Sequence, residues 1–258
     1  MGWLAAAEVE GWRLGAVLLV YLTAGTVKGA LGFGLPLIAG AVLPQLVPLP
    51  LVLAINAVIL PITNTVQFAR AGDTAGVAGR HWPVLLGLAL AVPLGALVVA
   101  RADPRWVMLL FGLFITLAAA LSWAVPDWRI PRGANGSAGL ATGLAGGLVA
   151  ALTTAPGPLF VIYLVGRGVE RAERMGALGL FLLASGLLVA GSFWSLGVLD
   201  GARAFLALVC LVPALGGMWL GDRLAGRVPA ARLRAVVLLV LVVLGVRATV
   251  AAAMQLLA

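Results

Sequence analysis

The 258-residue chain is 63% hydrophobic and only 10% charged, with a mean hydropathy of +1.14. Ordinary soluble domains carry roughly 25% charged residues, so a soluble enzyme and a disordered chain are excluded. A single cysteine, Cys210, excludes a disulfide scaffold. The net charge of +8 is spread over short loops between apolar runs, which is the pattern of positive-inside topology and not of nucleic-acid binding. An all-α polytopic protein in a lipid bilayer is therefore expected.

The N-terminal segment carries Glu8 and Glu10 and no basic region, so it does not read as a secretory signal peptide. Eight long apolar segments follow, at approximately 14–43, 51–69, 82–100, 106–124, 138–166, 175–198, 204–220 and 235–257. Most are near the ~20 residues that cross a bilayer as a helix. The first and fifth are too long for one helix. Each is interrupted, by Gly32-Phe33-Gly34-Leu35-Pro36 and by Pro156-Gly157-Pro158. Proline removes a helical donor and drives its predecessor out of helical geometry, so each long run reads as a helix, a break and a short second helix. Trp12, Trp82, Trp106, Trp123 and Trp219 stand near run ends, as an interfacial belt requires. All nine acids lie between the runs. Two cations do not: Lys28, the only lysine, and Arg247, whose position near a run end suits snorkelling to the interface.

The chain reads as a duplication within one membrane domain, residues 1–258. Ala24–Leu31 aligns with Ala145–Leu152, 121 positions on, and Val92-Pro93-Leu94-Gly95 with Val212-Pro213-Ala214-Leu215-Gly216 at nearly the same offset. Repeats at 13–124 and 138–258 follow. If each long run turns back at its break, loops 70–81, 125–137, 167–174 and 222–234 share one side with eleven arginines, leaving Arg13, Arg101, Arg105 and Arg203 opposite, with Arg247 towards them. A single crossing by each run would divide the charges almost evenly. The positive-inside rule favours the first arrangement, with both termini outside and the repeats inverted.

Paired repeats with broken helices place a transport site at the breaks. Helix starts there expose unpaired amides and partial positive charge, which suits an anion. The candidate binding residues are Lys28, Gly32, Phe33 and Gly34 at the first break and Thr153, Thr154, Pro156 and Gly157 at the second. Asn56, Thr63, Asn64 and Gln67 share one helical face, a stripe that lines either a pathway or a tight contact; Ser185 is a further candidate. The threonine hydroxyls could donate to an oxyanion or bond back to their own helix. Lys28 would add a charge or snorkel. Gly25 and Gly29, and Gly139, Gly143 and Gly147, have the spacing of helix-packing glycines. Gly87, outside the breaks, serves as a position of lesser consequence. His81 reads as an interfacial loop residue beside Trp82. No intramembrane carboxylate, metal-ligand cluster, phosphate loop or catalytic set is seen, so neither a metal nor a cofactor is expected.

Lys28-Gly-Ala-Leu-Gly-Phe-Gly-Leu-Pro-Leu-Ile, with Leu-Pro-Gln-Leu-Val-Pro-Leu-Pro after it, resembles the first repeat of the TauE/SafE sulfite exporter family. Pro156-Gly-Pro-Leu-Phe-Val-Ile-Tyr-Leu-Val-Gly-Arg-Gly is similar to that family's second repeat. Thr153-Thr154-Ala155 departs from it, standing where the family usually has glycine-rich residues. The resemblance implies a secondary transporter exporting a small sulfur-containing anion, sulfite or an organosulfonate, across the cell (inner) membrane, with no nucleic acid involved. An anion channel on the same fold, a membrane-embedded enzyme or an assembly subunit, and a homodimer stay open.

Overall fold

A computed structural model describes residues 9, 11–32, 34–69, 74–123, 129–225 and 230–257. They form α1 (Gly11–Leu31), α2 (Leu35–Val42), α3 (Leu49–Ala69), α4 (Thr74–Arg80), α5 (Trp82–Arg101), α6 (Pro104–Trp123), α7 (Asn135–Thr153), α8 (Gly157–Gly166), α9 (Arg171–Ser195), α10 (Gly201–Leu224) and α11 (Ala230–Leu257). Short 3-10 turns at Leu43–Gln45 and Arg132–Ala134 follow α2 and precede α7. Six of these helices are long and apolar enough to cross a membrane, and α2, α8 and the stretches 104–117 of α6 and 242–254 of α11 are shorter apolar segments. Their outer faces carry exposed Leu90, Leu94, Leu208, Val212 and Val243, with Trp12, Trp82, Trp106 and Trp219 exposed near helix ends. Apolar groups thus cover the outside as well as the core, which is the arrangement lipid requires. The chain is a multi-pass helical membrane protein.

Both long runs are broken where glycine and proline stand. Gly32 and Gly34 have φ of 80° and 111°, and Pro36 opens α2. Side chains avoid such positive φ values, so glycine is needed for the chain to reverse there. At the second break Thr154 ends α7 with φ of 57°, the only non-glycine residue of positive φ among those described.

Helix direction follows from who meets whom. Tyr21 and Lys28 of α1 bond Asn56 and Thr63 of α3, so these two helices run parallel. The intervening α2, packed on α1, therefore runs back between them. Across the two halves, α1 packs along α10 and α7 along α5. Both pairs are parallel, and both are joined through glycines. A Cβ on Gly29 would lie 2.1 Å from the Met218 carbonyl oxygen, and one on Gly221 2.0 Å from that of Thr26. On the other side, a Cβ on Gly143 would lie 2.2 Å from the Val84 carbonyl oxygen. Close backbone approach substitutes for the hydrophobic effect, which is weak inside a membrane. Gly25, Gly29, Gly143 and Gly147 are thus seam residues, and so is Gly87. A Cβ there would come within 2.6 Å of the Leu140 carbonyl oxygen, which corrects the expectation that Gly87 is of lesser consequence.

Two further pairs cross between the halves. In α3 and α9, Pro61 faces Gly186 and Phe68 faces Gly179, so the helices are antiparallel. In α6 and α11, Gly112 faces Thr249 and Thr116 faces Gly245, again antiparallel. α3 lies deepest, buried along most of its length.

Candidate functional site

The two breaks meet. A cavity lies between them, bounded by Lys28, Gly32, Gly34 and Pro36 from the first and by Thr154, Pro156, Gly157 and Pro158 from the second. Asn64 of α3 and Ser185 of α9 close its flanks. Eight of the candidate residues are therefore on one wall system: Lys28, Gly32, Gly34, Asn64, Thr154, Pro156, Gly157 and Ser185.

Lys28 is only 3% exposed, and its ammonium donates to Thr63 Oγ1 at 3.0 Å and to Asn64 Oδ1. It is not snorkelling. Two of its three N–H donors are used, and the group borders the cavity. Asn64 is held in turn by donating its amide to the Leu182 carbonyl oxygen at 3.0 Å.

The other polar candidates divide. Asn56 is fully buried and does not line the cavity. It accepts from Tyr21 Oη at 2.9 Å and donates to Thr154 Oγ1 at 2.9 Å, tying α1, α3 and the second break together. That bond holds Thr154, a β-branched residue, in the left-handed region it would otherwise avoid. Thr153 is buried off the cavity, with its hydroxyl on the Val149 carbonyl oxygen at 2.8 Å. Thr154 donates to the Thr153 carbonyl oxygen at 2.6 Å, and Ser185 to that of Leu182 at 3.1 Å. Of the two readings of the threonine hydroxyls, the structure shows the bonds to backbone carbonyls. Phe33 and the side chain of Gln67 lie outside the described residues.

The helix starts at the two breaks differ. At the first, the N–H groups of Leu35 and Leu37 precede the first helical bond, from Ile38 N–H to the Gly34 carbonyl at 3.0 Å. At the second, Pro156 and Pro158 carry no N–H, and Leu159 and Phe160 already donate to the Pro156 carbonyl oxygen. The first break is the richer in donors. Each break also brings a helix C-terminus to the cavity, that of α1 beside Gly32 and that of α7 beside Thr154. Its partial negative charge opposes the positive one of the helix that follows.

His81 departs most from its expectation. It is fully buried between α4 and α5, with Nε2 3.1 Å from Glu173 Oε1, Nδ1 3.4 Å from Tyr163 Oη, and its ring edge-on to Phe181. Arg80 donates to the same Glu173 oxygen at 3.1 Å. Burial lowers the imidazole's affinity for a proton, opposed by the bond to Glu173. Nothing local marked this contact, because its partners are more than 80 residues away.

Broken helices around a buried cavity, in a multi-pass helical protein, define a membrane transporter. The profile of the family described as "Sulfite exporter TauE/SafE" matches residues 17–248, and the chain belongs to that family, whose members are transporters and not enzymes. A protein of Comamonas testosteroni named "Probable inner membrane transporter protein TsaS" is 27% identical over 175 residues, covering 64% of this chain and 70% of its own. No solved structure matches the chain.

Proposed function

We propose that this protein is a secondary transporter of the cell (inner) membrane that exports a small anion of the sulfite or organosulfonate kind through the cavity between the two breaks. One observation carries the reading: the chain's only lysine is buried where both breaks converge on a cavity. An intramembrane cation facing a cavity marks a substrate pathway in most settings. Lys28 supplies the positive charge, Asn64 and Thr63 orient it, and the amides at the start of α2 add donors. Export needs no coupling ion, because a negative interior drives a monovalent anion outwards by about 2.3 kcal/mol per 100 mV.

The same proposal takes the two halves, 13–124 and 138–258, as inverted repeats. The contact pattern supports it. Exchanging the halves maps the α1–α10 pair onto α7–α5, and the equivalent helices α3 and α9, and α6 and α11, run antiparallel. Alternating access would then rock one half against the other about the cavity.

The test is flux in proteoliposomes. Efflux of sulfite or methanesulfonate should saturate, show counterflow and rise with an interior-negative potential. Flux that does not saturate and shows no counterflow would indicate a channel, and no flux of any anion would refute the reading.

A further inference from the structure

A transporter that rocks two halves about a cavity needs contacts between the halves that hold each end shut in turn. Two polar contacts stand at the required places, and neither lines the cavity. The short helix after each break runs from the cavity to one face of the protein. α2 ends beside the start of α3, and α8 ends beside the start of α9. These are opposite faces, because α3 and α9 are antiparallel, with Phe68 against Gly179.

On α8, Tyr163 lies six residues beyond the cavity-lining Gly157, about 9 Å along the helix. Its hydroxyl is 3.4 Å from His81 Nδ1, and His81 Nε2 is 3.1 Å from Glu173 Oε1, which also accepts from Arg80. A neutral imidazole protonated at Nε2 serves both ring contacts, donating to Glu173 and accepting from Tyr163. The ring is fully buried and lies edge-on to Tyr163 and Phe181. Arg80 and His81 belong to the first half, and Tyr163 and Glu173 to the second. At the far end of α2, Gln45 accepts from Arg247 of α11. That contact also joins the two halves, but it is a single bond at the surface.

We propose that these contacts are the two gate latches of the transporter, a reading that rests on the transport function above. The Tyr163–His81–Glu173 latch holds α8 and closes the cavity on the face of loops 70–81 and 167–174, which the positive-inside rule makes cytoplasmic. The Arg247–Gln45 latch holds α2 and closes the opposite end. Release of either lets its short helix swing about its break. The inner latch is the stronger, since it is buried and has more than one bond.

The inner latch is also acid-sensitive. A proton on Nδ1 would displace the Tyr163 donor. Burial disfavours that proton most, the bond to Glu173 favours it, and Arg167 and Arg80 disfavour it, with the balance against it. Opening hydrates the imidazole and restores its ordinary affinity, so proton uptake accompanies opening and acid favours the open gate.

The experiment reads access to the cavity from each face. In a Cys210→Ala background, Ser185→Cys places a thiol on the cavity wall, and a membrane-impermeant maleimide is applied to right-side-out and inside-out vesicles. His81→Phe keeps the aromatic packing and removes both ring bonds. It should speed labelling from the cytoplasmic face on the order of tenfold and slow it from outside. Tyr163→Phe should act in the same direction by less. Gln45→Ala should act in the opposite direction, about twofold to threefold. Below about pH 6.5, cytoplasmic-face labelling should rise relative to His81→Phe at the same pH. Labelling unchanged from both faces in a folded His81→Phe protein, or raised alike from both, would overturn the inference and make the cluster a structural tie. Side-specific shifts in a protein that moves no anion would support the latches and refute the anion reading, so the two fail separately.

Discussion

Replacing Lys28 by methionine separates the substrate role from a structural one, because the two predict opposite signatures. An anion about 4 Å from the ammonium gains roughly 4 kcal/mol at an effective dielectric of 20. Desolvation of both ions offsets part of this, leaving an expected loss of about 1.4–3 kcal/mol, or tenfold to somewhat over a hundredfold in affinity. Folding should respond differently. The buried ammonium is bonded to Thr63 and Asn64, and no carboxylate is paired with it among the described residues. Removing such a charge relieves a desolvation cost of several kcal/mol, while the two acceptors left behind cost about 1–3 kcal/mol each. The terms nearly cancel, and methionine keeps the apolar stem. Lys28→Met should therefore melt close to wild type yet bind sulfonates at least tenfold more weakly. Lys28→Arg should fall between, since it keeps the charge and changes the donor geometry. Anion titration and thermal unfolding in the same detergent read both quantities. Wild-type affinity in a folded Lys28→Met protein would refute the site, and a large loss of stability with intact affinity would mark Lys28 as structural.

Three further outcomes are expected. Gly221→Ala should destabilise the fold by about 1–3 kcal/mol through collision with the Thr26 carbonyl, and Gly216→Ala, with open space around it, should be silent. Gly34→Ala, at φ of 111° beside the cavity, should lower transport per folded molecule; thermal melts and flux assays separate the three. Burial lowers the His81 pKa below its ordinary value near 6.5, so the unfolded chain takes up a proton before the folded one does. Stability is full above about pH 6.5 and falls as pH drops towards the folded-state value, and His81→Phe should flatten that slope in unfolding midpoints. In a background lacking Cys210, a cysteine at Gly133 should be shielded from impermeant reagent added outside, and one at Asp103 should react. The reverse would overturn the orientation argued from the arginines.

The broken helices were legible because their causes are local. Glycine at positive φ and proline at a helix start act on their own backbone, and the structure breaks at the same residues. The glycine seams were legible as spacing, but which helix each would meet was not. Gly25 and Gly29 face Ala214 and Met218, nearly 190 residues on. Lys28 stood out because a cation in an apolar run is costly wherever it lies. The burial of His81 was not foreseeable, because a loop histidine beside an exposed tryptophan looks the same whether or not Glu173 and Tyr163 close over it.

A signal for the partner of Lys28 was nonetheless present. Tyr21 and Lys28 are seven residues apart on α1, and so are Asn56 and Thr63 on α3. Seven residues are almost two turns, so each pair lies on one face of its helix, about 10 Å apart along the axis. Two helices with equal polar spacing can satisfy both pairs at once in two ways, parallel or, with the partners exchanged, antiparallel. The bonds from Tyr21 to Asn56 and from Lys28 to Thr63 select the parallel one. Parallel α1 and α3 in turn require the segment between them to travel back, which is what the bonds, and not the spacing alone, establish. The polar residues of a transmembrane segment thus constrain which faces meet and in what register, because in hydrocarbon each must find its partner within the protein.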